Sequence, residues 1–82
     1  MHVIINTGAI SGAQVDITNE AADAVRMGFN PSASPSVDKL KALGAAFISL
    51  CDQLGKSREF SVAKTEAETA VMWAVKAATA GA

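Results

Sequence analysis

Leu40, Leu43, Phe47, Leu50 and Leu54 step along the chain by three, four, three and four residues. That rhythm places an apolar seam on one face of an α-helix. Gly55 follows at once and Ser57 two residues later. The helix is therefore predicted to end in a left-handed glycine cap, and the next to begin at a serine cap. A second seam repeats the rhythm in small residues: Phe60, Ala63, Ala67, Ala70, Ala74 and Ala77, within a helix from Arg58 to about Ala80. Helices joined by two or three residues must run antiparallel, as an αα-hairpin. The expected packing sets the alanine seam against the leucine seam, with the backbones close.

Upstream, Ser34 followed by Pro35 marks the start of the leucine helix, a serine cap with proline in the first turn; Ser36 is the competing cap. Pro31 is predicted to stop an earlier helix, because its ring clashes with a preceding helical turn and biases Asn30 toward extended backbone. That first helix is expected to run from a Thr18 cap to about Met27, with Asp16 and Glu20 near its positive end. Ile17, Ala21, Ala24 and Gly28 would line one side. Residues 1–16 mix Val3, Ile4 and Ile5 with Gly8 and Gly12 and show no helical period, which reads as a short strand or extended arm. The expected fold class is all-α: an N-terminal arm over 1–16, then a single helical hairpin domain over 17–82.

A chain of 82 residues buries only about 60% of the surface its unfolded form exposes, so its own core is marginal. Cys51 is the only cysteine and His2 the only histidine, so neither a disulfide nor a structural zinc site, which needs about four ligands, can supply the difference. Oligomerisation is the usual remedy. It would also cover a second apolar stripe on the last helix, Val62, Val71, Met72 and Val75. A homo-oligomer is therefore expected.

The net charge of −1 provides no general basic field for duplex nucleic acid or an anionic membrane. No run approaches the roughly 18 apolar residues of a membrane span, and the start lacks the basic segment of a signal peptide. A free cysteine suits a reducing cytoplasm.

Catalytic candidates are few. His2 has no acidic partner at a useful spacing. Cys51 lies beside the leucine seam, where a free cysteine behaves as a small core residue. Glu66 and Glu68 point to different helix faces, and Gly8 and Gly12 precede no phosphate loop. No enzyme, cofactor or metal site is expected. Helix starts offer free N–H groups and partial positive charge to anions. One such start carries Asn30, Ser32, Ser34, Ser36 and Lys39, and the other carries Lys56, Ser57, Arg58, Ser61 and Thr65. In an antiparallel hairpin they lie at opposite ends. Trp73 shares a face with Glu66, Thr69 and Lys76; a subunit contact is the simpler reading and base stacking the sharper one.

Two stretches resemble a known family. Phe29-Asn30-Pro31-Ser32 with Val37-Asp38-Lys39-Leu40-Lys41, and Met72-Trp73-Ala74-Val75-Lys76-Ala77-Ala78-Thr79, are similar to the helical hairpin domain of phage nucleotide sponges. That family comprises the anti-CBASS sponge and the hairpin domain of the Thoeris anti-defence sponges. Ser57-Arg58-Glu59, Ala63-Lys64-Thr65 and Glu68-Thr69-Ala70-Val71 fall where the family has similar residues, so the resemblance spans about Arg26 to Thr79.

The resemblance implies a small helical protein assembled as a hexamer, a trimer of dimers. It implies a sponge that sequesters cyclic oligonucleotide messengers without cleaving them, in the cytoplasm of an infected bacterial host. Ligands would be of the class of cyclic GMP-AMP or cyclic tri-adenylate. Cyclic dinucleotides would bind between paired subunits, and cyclic trinucleotides at the three-fold axis. Arg58 matches the family arginine on the trinucleotide phosphates, with Ser61 and Thr65 as hydroxyl donors beside it. For the dinucleotide pocket the implied residues are Arg26, Phe29, Asn30, Pro31 and Ser32. The chain departs from the best-known sponge pattern in having Ser32 where that pattern has a lysine, and in having no tyrosine. The same turn can equally serve as a rigid helix break.

Two further readings stand beside the sponge. One is a helical oligomerisation or protein-interaction module gripping a partner with the Val/Met stripe. The other is a ribbon-helix-helix DNA binder with HVIIN as the ribbon, disfavoured by the net charge, because DNA binding draws on many phosphate contacts from Lys and Arg.

Overall fold

The structure, a computed structural model, describes residues 2–5 and 13–80. Strands β1 (His2–Ile5) and β2 (Ala13–Asp16) pair antiparallel, with His2 opposite Asp16 and Ile5 opposite Ala13. Helices α1 (Asn19–Ala24), α2 (Pro35–Leu54) and α3 (Arg58–Thr79) follow. The fold is mostly helical, and the N-terminal arm contributes a two-stranded ribbon packed on α2. The side chain of His2 lies outside the described residues.

Local chemistry sets the hairpin's boundaries. Pro35 opens α2 behind Ser34, which occupies the cap position in extended backbone but makes no side-chain cap bond. The Ser57 hydroxyl accepts the Phe60 N–H at 3.2 Å and starts α3. Between them only residues 55–57 connect the helices. Gly55 departs from expectation: its φ of 165° is extended, not left-handed, and its N–H bonds the Cys51 carbonyl at 3.2 Å. Asp52 pairs with Lys64, and Gly44 faces Val71. Rising numbers on one helix meet falling numbers on the other, so α2 and α3 are antiparallel.

The buried face of α2 is not the leucine seam. It is formed by Val37, Lys41, Ala45, Ile48 and Ser49, with Ala46 and Cys51 at its margins. Val71 of α3 packs into this layer, flanked by half-buried Ala67 and Val75. On the other side Val15, Ile17, Ala21 and Val25 complete the core, and the Thr18 N–H bonds the Ser49 hydroxyl at 3.0 Å. Ribbon and α1 therefore cover the small-residue side of the hairpin. Gly44 and Ala45 let the backbones approach there, which leaves the larger side chains outside.

Leu43, Phe47, Leu50 and Leu54 are exposed, Leu43 by 57% and Leu54 by 63%. Leu43 and Phe47 lie beside the alanine seam rather than against it: with Ala63, Ala67, Ala70 and one carboxylate, Glu66, they line one open groove. Of the second stripe, Val71 is buried and Val75 half-buried, while Val62 and Met72 are exposed.

Helix α1 is shorter than its sequence suggests. Thr18 caps it as expected, its hydroxyl accepting the Ala21 N–H at 3.2 Å. The helix ends at Ala24, well before Pro31, because Arg26 adopts left-handed backbone with φ 54°.

Candidate functional site

The segment from Val25 to Ser34 folds as two successive turns. Arg26 N–H bonds the Asp23 carbonyl at 3.0 Å, Met27 N–H the Ala22 carbonyl at 2.9 Å, and Phe29 N–H the Arg26 carbonyl at 2.9 Å. The second turn is tied by Asn30. Its amide donates to the Ser34 carbonyl at 2.8 Å and to Asp38 Oδ1 at 3.0 Å, while its own oxygen accepts the Ser32 hydroxyl at 2.8 Å. Asn30 and Ser32 are thus engaged in holding the turn against the start of α2. The Phe-Asn-Pro-Ser sequence fixes the shape of this corner and leaves the Phe29 ring half-exposed.

Beneath the first turn lies Lys41, only 6% exposed. Its ammonium donates to the Arg26 carbonyl at 2.9 Å and to the Phe29 carbonyl. It also stands 5.5 Å from the centre of the Phe29 ring, and the Arg26 guanidinium lies 4.5 Å from the same ring. Both distances fall within cation–π range. Lys76, one helix away, lies 4.9 Å from the ring of Trp73.

Three cavities border α3 on the side facing α1 and the turns. The middle one, about 390 Å³, is lined by Val25, Arg26, Phe29, Lys41, Val71, Met72, Val75 and Lys76 together with Ala24. A second, about 260 Å³, shares Phe29, Lys41 and Val75 with it and adds Asn30, Pro31, Ser32, Val37 and Thr79. Among the described residues no carboxylate lines either one. The third, about 360 Å³, shares Ala24 with the middle one but has the opposite character. Glu20, Asp52 and Glu68 line it with Lys64, Ser61 and Thr65. Lys64 Nζ stands 2.5 Å from Asp52 Oδ1, and Lys56 3.8 Å. The hydrogen bond from Lys64, reinforced by the charges of Lys64 and Lys56, holds the Asp52 carboxyl below its ordinary range. The side of α3 thus runs from an acidic cavity to a cationic one.

The sequence-derived residues divide accordingly. Arg26, Phe29, Asn30, Pro31 and Ser32 come together around the two cationic cavities. Ser61 and Thr65 share the acidic cavity, where the Thr65 hydroxyl already bonds the Ser61 carbonyl at 3.1 Å. Arg58 is exposed in the first turn of α3 and is not among that cavity's lining residues. Within one chain, then, the dinucleotide set is assembled and the trinucleotide set is not.

Sequence reasoning missed Lys41, Met72, Val75 and Lys76 as site residues. A lysine ordinarily reads as solvated, and Lys41 sits in a charged run with Asp38 and Lys39. The signal that could have found it is its spacing of four from both Val37 and Ala45, on the face the fold buries.

Among the described residues, no group of His, Cys, Asp and Glu could hold a metal ion, and no helix is long and apolar enough to cross a membrane. No curated protein and no solved structure matches the chain. Residues 19–79, most of the chain, match the Acb2/Tad1 hairpin domain. The chain therefore belongs to the Acb2/Tad1 hairpin-domain family, the anti-CBASS and anti-Thoeris sponges.

Proposed function

We propose that this protein binds cyclic oligonucleotide second messengers of phage-infected bacteria and sequesters them uncleaved, silencing CBASS-type defence signalling in the host cytoplasm. The observation that carries the proposal is the pair of cavities at the Phe29 corner, lined by no carboxylate among the described residues, where Arg26, Lys41 and Lys76 gather beside Met72 and Val75. Cations suit phosphodiesters, and a flat apolar wall suits a base. Cyclic dinucleotides such as cyclic GMP-AMP bind here, at Arg26, Phe29, Asn30, Pro31 and Ser32.

Cyclic trinucleotides such as cyclic tri-adenylate use Arg58, Ser61 and Thr65 from several copies. Clustering of the exposed Arg58 side chains supplies the positive charge that Glu20, Asp52 and Glu68 otherwise oppose. The copies associate through the exposed Leu43, Phe47, Leu50 and Leu54 and the alanine groove beside them, as a homo-oligomer of hexameric order.

Calorimetric titration against a panel of cyclic di- and trinucleotides tests the reading. Saturable binding is expected, with the ligand recovered intact after heat denaturation. Cleavage products would make the protein an enzyme. Silence across the panel would favour the second reading, a helical interaction module without a nucleotide ligand, for which the same exposed leucine face speaks.

A further inference from the structure

Lys41 is the most buried charged side chain described, and among the described residues its charge has no counter-charge. Both of its hydrogen-bond partners, the Arg26 and Phe29 carbonyls, are neutral. An ammonium carries three donors, so one remains after these two bonds. Removing a cation from water is unfavourable unless an anion or further hydrogen bonds compensate it. Among the described residues no carboxylate pairs with Lys41, and none lines either cavity that it borders. Asp38, the nearest acid in sequence on α2, bonds Asn30 instead. The contrast with Lys64 is direct, because that ammonium is matched by Asp52 at 2.5 Å.

We infer that the Lys41 ammonium is a phosphate-binding group, and that one phosphodiester of the bound ligand is its missing counter-ion. The inference rests on the sponge reading and adds to it the anchor at the floor of the site. Arg26 and Phe29 stand over that anchor. Both lie on the turn whose carbonyls Lys41 holds, so the same ammonium shapes the corner and supplies its charge. Lys76 and Arg26 are exposed and reach a phosphate from the rim, whereas Lys41 meets it already desolvated. A charge-assisted hydrogen bond is stronger where water is excluded, so Lys41 contributes more to discrimination between charged and neutral linkages than either rim cation.

A cycle of protein and ligand changes separates this role from scaffolding. Cyclic di-AMP is compared with its analogue bearing neutral methylphosphonate linkages, on wild type and on Lys41→Met, with Lys76→Met as the rim control. Wild type is expected to prefer the charged ligand about 10- to 100-fold, and Lys41→Met to lose most of that preference. Lys76→Met is expected to lose a smaller part of it. A purely structural Lys41 would weaken both ligands equally and leave the preference unchanged, which would overturn the inference alone. Absence of wild-type binding to every cyclic oligonucleotide in the calorimetric panel would overturn the sponge reading and this inference with it.

Should Lys41→Met not fold, the ¹⁵N resonance of the wild-type Lys41 ammonium decides. It is expected to shift with a saturating phosphodiester ligand and to stay in place with the neutral analogue. Equal shifts with both would refute a phosphate contact.

Discussion

A methyl group of Val71 occupies the space that a side chain on Gly44 would need: a β-carbon there would stand 2.3 Å from Val71 Cγ2 and 3.5 Å from Val25 Cγ1. This is where α3, α2 and the end of α1 converge, so the contact sets the depth of the hairpin and the position of the turn above it. Gly44→Ala would gain about 1 kcal/mol of helix propensity. Overpacking against a stiff β-branched side chain costs about 1–3 kcal/mol. The net effect expected by urea denaturation is a destabilisation of up to about 2 kcal/mol. In a Val71→Ala background the same change should be neutral or stabilising. Equal costs in both backgrounds would mean that the two residues are not coupled.

The Asp52–Lys64 pair predicts a pH dependence of stability. Folding lowers the Asp52 pKa from its ordinary 3.8, so the unfolded chain binds a proton more readily than the native one. The stabilisation is complete above the unfolded value and is lost as pH falls through the folded value. Asp52→Asn should therefore be less stable than wild type at neutral pH, and the gap should close in acid. Denaturation midpoints measured from pH 7 to pH 2 check this; parallel curves would contradict it.

The boundaries of α2 and α3 were legible in the sequence because the signals that set them are local. Ser57 and Ser34-Pro35 act within one turn of themselves. Which face is buried was not legible. The spacing from Leu40 to Leu54 identifies a stripe but not what covers it, and here Gly44 and Ala45 bring the ribbon, α1 and α3 to another side. The end of α1 was hidden for a related reason. Left-handed backbone is usually announced by Gly or Asn, and Arg26 gives no such notice. The Phe29 corner was found through its motif, while the lysine beneath it was invisible because charge ordinarily predicts exposure.

The exposed leucine face yields a prediction about assembly. Covering a Leu or Phe side chain contributes about 1.5–3 kcal/mol, so four exposed ones, two of them lining the alanine groove, favour association. Leu43→Glu combined with Phe47→Glu should give monomers by multi-angle light scattering with the helical circular dichroism retained. A wild type that is already monomeric at micromolar concentration would show that this face does not self-associate.

Arg58 should matter to one ligand class. It is exposed at the start of α3 and remote in sequence from the Phe29 corner. Arg58→Ala is expected to weaken cyclic trinucleotide binding at least tenfold, the loss of one charge-assisted phosphate bond per copy, while cyclic dinucleotide binding is unchanged. Calorimetry with both ligands checks it, and equal losses would merge the two sites.

Arg26 combines an unfavourable backbone with an exposed charge, and the two can be separated by mutation. Left-handed backbone costs a non-glycine residue about 1–2 kcal/mol. Arg26→Gly removes that strain. Against it stand the greater flexibility of an unfolded glycine, about 0.5–1 kcal/mol, and the lost contact with the Phe29 ring, about 0.5–1 kcal/mol at an exposed site. These effects nearly cancel, so stability should stay within about 1 kcal/mol of wild type. Dinucleotide affinity should nevertheless fall at least tenfold, because the guanidinium that faces the cavity is gone. Denaturation and titration on the same variant test both halves. Unchanged affinity would mean that the strain at Arg26 serves the turn alone, and a large loss of stability would mean that the contact with Phe29 at 4.5 Å holds the corner together.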